Sequence, residues 1–109
     1  MTDHLTAWAE CAERVAENGV AKRVISGAGA SLVRVVVPAG VSASRHSHEH
    51  EQFVQVISGT GTLETEAGSH SFGPGTVFHF PPNAWHAAVF DSDTILVETN
   101  FTPAASGIS

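Results

Sequence analysis

The chain has 109 residues, of which 42% are hydrophobic and 15% are charged, and its formal net charge is −6. This length fits one domain with its own core, and it is too short for a two-domain enzyme or a β/α barrel. The negative charge argues against nucleic acid and anionic membranes as partners. The single cysteine, Cys11, excludes an intrachain disulfide.

The beginning of the chain predicts neither a signal peptide nor a membrane anchor. Residues 1–17 contain four acidic side chains and no apolar run. No stretch of the sequence approaches the ~20 apolar residues that a membrane-spanning helix needs. We therefore expect a cytoplasmic protein without a membrane partner.

Residues 4–18 predict one short amphipathic α-helix. Apolar side chains recur at helical spacing between Leu5 and Ala16, and charged side chains occupy the opposite face. Asp3 is a candidate N-cap, and Asn18-Gly19 is a candidate end of the helix. We expect this N-terminal segment, residues 1–19, to pack its apolar stripe on the main body or on a partner subunit.

From residue 20 to residue 101 the hydrophobic period changes to that of β-strands. The segments are short, rich in Val, Thr, Ile and Phe, and separated by Gly, Pro and Asp turns. Closely spaced strands without intervening helices predict an all-β antiparallel sandwich or small barrel over residues 20–103, followed by a flexible tail at 104–109. The predicted strands are 20–25, 31–37, 52–57, 61–66, 69–72, 76–80, 85–90 and 93–101.

Five of the seven histidines fall in two clusters, one around residues 46–50 and one at residues 79–86. His46 and His48 are two apart in an extended stretch, so their side chains leave the same face about 6.5–7 Å apart. This separation suits two imidazoles on one metal ion. Gln52 opens the next strand, and His86 opens a later strand after a Pro-Pro-Asn turn. In a small barrel such strand starts can face one another across the interior.

Two spaced motifs give the chain a resemblance to a known family. The pattern Gly40-(five residues)-His46-Ser47-His48-(three residues)-Gln52-(six residues)-Gly59 resembles the first cupin motif. The pattern Gly75-(five residues)-Pro81-Pro82-Asn83-(two residues)-His86 resembles the second. Two motifs in this order are far more specific than a lone His-x-His, and the chain is similar to cupins over residues 31–101.

The resemblance implies a cupin-type double-stranded β-helix, a jelly-roll barrel, with one metal ion inside. By position, the implied metal ligands are His46, His48, Gln52 and His86. The sequence departs from the usual motifs where Gln52 replaces glutamate, Asn83 replaces a glycine and Phe90 replaces an asparagine. Asn83 tolerates a left-handed turn almost as well as glycine does. The glutamine variant resembles small single-domain bacterial cupins of the pectin-degradation, KdgF-like, group.

The implied ligand set is neutral, which bears on the chemistry of the site. Three imidazoles and an amide would leave the full charge of a divalent ion in place, whereas a glutamate would cancel part of it. This favours polarisation of a carbonyl or enediol over redox chemistry. The ligand types admit Zn, Ni, Co, Fe, Mn or Cu as the one divalent transition metal. His50 is either an alternate ligand or a proton shuttle, or else a residue at the rim or one that supports a ligand.

Two residues are candidates for catalytic proton transfer, namely His79 and Glu98. The KdgF-like group implies an aspartate two residues before the aromatic of the last strand, but Thr99 precedes Phe101 here, and no basic residue follows the next proline. Glu98 is one position away and points to the opposite face. Phe101 is expected at the pocket. Arg34 interrupts an apolar strand, and it either faces solvent or lies inside, where it could hold a carboxylate.

The resemblance implies an enzyme that uses a divalent metal on a small oxygenated metabolite, as an isomerase, lyase or tautomerase. The KdgF-like group suggests a sugar acid, such as a uronate, that is ring-opened or tautomerised. Two alternatives stay open, because a fold alone does not fix a reaction: a non-catalytic ligand-binding or sensing cupin, and an Fe(II)-dependent dioxygenase. The expected partners are a small molecule and a second copy of the chain, since small barrels have edge strands to protect.

Overall fold

The computed structural model describes residues 4–102, which form ten β-strands and a 3₁₀ turn at Trp8–Glu10. No helix in this part of the chain is long and apolar enough to span a membrane. The predicted tail at 104–109 lies outside the described residues. The strands are β1 (Arg14–Val15), β2 (Ala21–Ser26), β3 (Ala30–Val37), β4 (Ser42–His46), β5 (Gln52–Ser58), β6 (Gly61–Thr65), β7 (Gly68–Phe72), β8 (Val77–Phe80), β9 (His86–Phe90) and β10 (Thr94–Phe101).

The strands form two antiparallel sheets. One sheet has six strands in the order β1-β2-β3-β10-β5-β8, and the other has four strands in the order β4-β9-β6-β7. Several connections cross from one sheet to the other, so strands distant in sequence, such as β3 and β10, lie side by side. This is the jelly-roll architecture of an all-β protein, and it confirms the predicted fold class.

The core lies between the two sheets because successive side chains of a strand point to opposite faces. In β5, Val54 and Val56 are buried, whereas Phe53 and Gln55 are exposed on the outer face. The buried apolar residues that fill the interior are Val33, Val35, Val37, Val54, Val56, Leu63, Phe72, Phe78, Phe80, Phe90 and Leu96.

All eight predicted strands are present, and their ends differ from the predicted ones by no more than one residue. The sequence did not predict β4, whose residues are small or polar and lack the β-branched and aromatic side chains that mark strands. Pairing with β9 holds it in the four-stranded sheet, where His46 lies opposite His86.

The predicted N-terminal helix over residues 4–18 is wrong. The segment instead contains the 3₁₀ turn and the two-residue strand β1, which pairs with β2. Asn18 and Gly19 lie in the turn between β1 and β2, where the Gly19 N–H donates to the Ala16 oxygen at 2.9 Å. Gly19 adopts a φ of 90°, the left-handed conformation that glycine takes in such hairpin turns. The Arg23 guanidinium donates to the backbone oxygens of Trp8 (3.1 Å) and Cys11 (2.7 Å). These tertiary contacts outweigh the weak helical periodicity.

Candidate metal centre

Three histidines converge at one end of the sandwich. His46 ends β4, His86 begins β9 directly opposite it, and His48 lies in the loop that follows β4. The imidazole of His46 lies 5.0 Å from that of His48 and 4.2 Å from that of His86, measured between ring centroids. One ring nitrogen from each of the three lies within 4.8 Å of the others. The predicted histidines are therefore brought together.

The spacing of these nitrogens fits a metal ion. Two imidazole nitrogens that share an ion at about 2.0–2.1 Å are at most about 4.2 Å apart. Separations of up to 4.8 Å thus require only small side-chain rotations. The three histidines are donors of the type that Zn²⁺ and related divalent transition metals prefer.

Burial keeps two of the three imidazoles in the neutral form that binds metal. Burial, and then the neighbouring charge of His46, lower the pKa of His86 to about 4. Burial also lowers the pKa of His48, with smaller contributions from His46 and His50. Neutral imidazoles can bind a metal without first losing a proton.

Backbone carbonyls orient two of the rings. His46 Nδ1 lies 2.8 Å from the Ser44 oxygen, and His86 Nδ1 lies 3.3 Å from the Ala84 oxygen. A carbonyl only accepts, so these Nδ1 atoms carry the proton and donate, which leaves each Nε2 free as a ligand. The Phe80 ring stacks on the His86 ring, with 3.8 Å between the ring centroids and an angle of 4° between the planes. This contact restricts the orientation of the His86 ring.

The turn before His86 is tied to the histidine loop. Asn83 adopts a φ of 67°, so it takes the left-handed conformation for which the usual motif has glycine. Its backbone N–H donates to the His48 oxygen at 2.6 Å. This hydrogen bond joins the two motif segments and fixes their separation.

Gln52 lines the same cavity as the three histidines and is buried, with 5% of its surface exposed. It begins β5, opposite Asn100 of β10. Its Nε2 donates to Asn100 Oδ1 at 2.7 Å, and the same Asn100 oxygen lies 3.3 Å from His50 Nε2. His50 thus lies in the cavity and contacts Asn100.

The site opens into a cavity of about 600 Å³ between the sheets. Its walls are mostly Val, Phe, Leu and Ala side chains, as in many small-molecule pockets. Glu98 faces this cavity from the middle of β10, and burial raises the pKa of its carboxyl, although nearby Lys22 and Asn100 oppose the shift. The polar residues of the lining are Asn18, Lys22, Ser42, His46, His48, His50, Gln52, His86, Glu98 and Asn100.

Three residues predicted at the site lie elsewhere. His79 alternates with the buried Phe78 and Phe80, so its side chain points outward, where it lies 2.6 Å from Glu51 Oε2. Arg34 lies between inward-facing valines of β3, and its side chain also leaves the outer face. Phe101 packs against Phe53 outside the cavity at 5.9 Å between ring centroids. Strand alternation excludes all three from the cavity lining.

Lys22 and Asn100 are among the cavity residues that were not predicted. Lys22 is the register partner of the inward-facing Val35, so it points into the cavity from β2. Asn100 lies two residues after Glu98 and therefore on the same face. Alternation along β10 pairs Asn100 with Glu98, but the sequence does not say which face of the strand lines the cavity. Lys22 is recognisable only once the pairing of β2 with β3 is known.

A family model described as "Cupin domain" (Cupin_2) matches residues 33–99. The chain belongs to the cupin family. No curated protein matches the sequence of this cupin. Two solved structures of similar size superpose on it along nearly the whole chain. An RmlC-like cupin from Shewanella frigidimarina is 21% identical, with a TM-score of 0.84, over 94% of this chain and 93% of that one. KdgF from Halomonas sp. is 26% identical, with a TM-score of 0.81, over 94% of each chain.

Ectoine synthase from P. lautus is a third similar structure. It is 20% identical, with a TM-score of 0.78, over 91% of this chain and 77% of that chain. At this identity the likeness concerns the fold alone. The family, the fold and the three neighbouring histidines agree with the resemblance found in the two sequence motifs.

Proposed function

We propose that this cupin is an enzyme that uses one divalent metal ion to act on a small oxygenated metabolite. His46, His48, His86 and Gln52 would hold the ion. The observation that carries the proposal is the convergence of three imidazoles at a cavity of about 600 Å³. The likeness to KdgF, which is 26% identical to this chain, supports an enzyme over a purely structural barrel.

The reaction class follows from the neutral donor set. When bound, a divalent ion would supply Lewis-acid polarisation of a carbonyl or enediol oxygen. The mostly apolar cavity walls would shield a bound substrate from bulk water, which would strengthen electrostatic interactions inside. An isomerisation, tautomerisation or lyase reaction next to a carbonyl is the chemistry that this arrangement supports.

Glu98 is the residue that we assign to proton transfer. It is the one carboxylate in the lining of the cavity within residues 4–102. Burial raises the pKa of its carboxyl, which brings it closer to the range in which a general acid or base works. Glu98 would move the proton at the substrate carbon beside the polarised carbonyl.

The position of Lys22 favours a substrate that carries a carboxylate. A sugar acid is the substrate class that best agrees with the proposed function. It is the one Lys or Arg side chain in the described lining of the cavity, and it forms no ion pair within residues 4–102. Its ammonium would bind the carboxylate of the substrate. Lys22 would thereby supply the positive charge that the KdgF-like group has after the last strand.

Elemental analysis of untagged protein tests the metal site. We expect close to one equivalent of a divalent metal in the wild type and its loss in His48→Ala and His86→Ala. His79→Ala is the matched control, because this histidine lies on the outer face and its loss should leave the metal content unchanged. Absence of metal after reconstitution with excess divalent ions would refute the proposal.

Proton exchange tests the reaction. Metal-loaded protein in D₂O is incubated with D-galacturonate, and with D-galactose as the neutral match, and deuterium uptake beside the carbonyl is followed by ¹H NMR. We expect uptake with the acid, loss of uptake in Glu98→Gln at full metal content, and a raised KM in Lys22→Ala. Metal-loaded protein that neither exchanges a proton of D-galacturonate nor converts it would favour a binding module, and oxygen uptake by the Fe(II) form would favour a dioxygenase.

We further propose that two copies associate through the outer face of the six-stranded sheet. This face exposes an apolar patch formed by Leu32, Phe53, Ile57, Val77 and Phe101, which are 37–57% exposed. An apolar patch is self-complementary, as a two-fold interface requires. Light scattering should show a dimer that Phe53→Ser weakens, whereas Val89→Ser on the other sheet should not. A wild-type monomer at micromolar concentration would refute the dimer.

A further inference from the structure

The amide of Gln52 has to face one particular way if it is to bind a cation. An amide oxygen has lone pairs, whereas the NH₂ group has only protons to offer. A half-turn of the terminal torsion exchanges the two. A glutamate at this position would need no such control, because its two oxygens are equivalent. The neutral donor therefore depends on a neighbour that holds the amide in one orientation.

Asn100 is placed to hold it. Gln52 and Asn100 lie opposite each other in β5 and β10. Gln52 Nε2 donates to Asn100 Oδ1 at 2.7 Å, and within residues 4–102 the Gln52 oxygen accepts no hydrogen bond. With the NH₂ group engaged by Asn100, the amide oxygen of Gln52 is the group that remains for the cavity, which the imidazoles also line.

Two further contacts fix the Asn100 amide itself. His50 Nε2 lies 3.3 Å from the same Asn100 oxygen and donates to it when its proton is on Nε2. The Asn100 side chain also opposes the raised pKa of the Glu98 carboxyl, as an NH₂ group near a carboxylate does. A flipped Asn100 would turn its NH₂ group toward two N–H donors and its oxygen toward a carboxylate. These neighbours favour the orientation in which Asn100 Oδ1 accepts from Gln52.

We infer that Asn100 is a positioning residue, which locks the Gln52 amide with its oxygen toward the histidines and thereby sets the affinity of the site for metal. The inference rests on the proposed metal site. Asn100 lies outside the proposed ligand set and acts through Gln52. A glutamate at position 52 would need no such partner, because its two oxygens are equivalent.

A double-mutant cycle tests this inference. Asn100→Leu keeps the size of the side chain and removes the acceptor, and it is made both in the wild type and in Gln52→Glu. The dissociation constant for Zn²⁺ alone is measured by competition with a chromophoric chelator. We expect Asn100→Leu to weaken Zn²⁺ binding about tenfold or more with Gln52 present, the usual effect of losing a partner of a metal ligand. In the Gln52→Glu background we expect Asn100→Leu to change the affinity by less than about threefold.

The second measurement needs no metal. In the ¹⁵N–¹H NMR spectrum of metal-free protein, the side-chain NH₂ group of Gln52 gives a pair of signals. The pair is assigned to Gln52 because it is missing from the spectrum of Gln52→Glu. We expect one of its protons to be protected from solvent exchange, and this protection to disappear in Asn100→Leu while the amides of the neighbouring strands keep theirs.

The outcomes separate the inference from the proposed function. Wild-type protein that binds no Zn²⁺ refutes the metal site, and an unprotected Gln52 NH₂ pair then also overturns the role of Asn100. Wild-type protein that binds Zn²⁺, with equal losses of affinity in both backgrounds of the cycle, overturns the inference and leaves the metal site standing. Unchanged affinity in Asn100→Leu overturns it as well.

Discussion

The stacking of Phe80 on His86 connects the core to the metal site. It predicts that a substitution of Phe80 lowers both stability and metal affinity, whereas a comparable substitution of Phe78 lowers stability alone. Phe80 is 6% exposed and lies 3.8 Å from the His86 ring, nearly parallel to it. Phe78, two residues earlier on the same face of β8, is 7% exposed and packs against Phe72 at 5.3 Å. Changing each phenylalanine to leucine therefore perturbs similar volumes, but only one of the two braces a histidine.

The expected magnitudes follow from these contacts. Replacing a buried aromatic ring with leucine loses an aromatic pair worth about 0.5–1.5 kcal/mol and leaves a repacking cost below about 1.5 kcal/mol. Each variant should therefore lose about 1–2 kcal/mol of the free energy of unfolding, or roughly 5–10 °C in Tm for a domain of this size. In Phe80→Leu the His86 ring also gains freedom, so metal affinity should fall about tenfold.

Thermal melts of metal-free protein and Zn²⁺ competition titrations measure the two effects separately. Phe78→Leu should lose stability and keep its metal affinity within about twofold, as a substitution away from the ligands does. The reasoning is refuted if Phe80→Leu binds Zn²⁺ as tightly as the wild type. It is equally refuted if both variants lose affinity to the same extent, because the effect would then be general loosening of the core.

Three further predictions concern single positions. Burial raises the pKa of the Glu98 carboxyl, so this carboxyl binds its proton more tightly in the native state than in the unfolded state. The stability gained from that proton is present at low pH and is lost as pH rises through the native pKa. Glu98→Gln should therefore melt above the wild type at about pH 7, with the gain disappearing near pH 4 in metal-free melts; an equal gain at both pH values would contradict this. In Gly61→Ala the added Cβ would clash with the Val89 oxygen and with Phe72 Cζ. The free energy of unfolding, measured in urea titrations, should therefore fall by about 3 kcal/mol. A change below about 1 kcal/mol would show that these neighbours move aside without cost. His79→Ala should keep its turnover within about twofold in the proton-exchange assay, since the side chain lies on the outer face; a tenfold loss would restore it as a catalytic candidate.

Much of the fold and of the ligand set followed from local sequence. Short segments rich in β-branched and aromatic residues predicted eight strands, because strand propensity and turn chemistry act over a few residues. The spacing of His46, His48 and His86 within two motifs brought the implied ligands together as expected. The Asn18-Gly19 pair was also informative, but it formed a hairpin turn where a helix end was predicted.

The faces of the strands were not available from the sequence. In β3 and β10 apolar residues point both inward and outward, so the hydrophobic pattern does not say on which side Arg34 or Glu98 lies. The packing of the two sheets decides this, and it turns Glu98 into the cavity while Arg34 and Phe101 face outward. A motif resemblance predicts which residues along the chain correspond to those of the family. The register of each strand then determines which of these side chains lie on the same face.

By itself, the sequence determined which residue types are present and how far apart they lie along each strand, which is enough for a jelly roll with histidines at strand ends. Only the tertiary structure decided which side chains meet. Gln52 and Asn100 are 48 residues apart in sequence and 2.7 Å apart in space, and Lys22 reaches the cavity only because β2 pairs with β3. Hydrogen bonds and charges act over a few ångströms, so the partners of a site are chosen by strand pairing between distant segments and not by sequence neighbours.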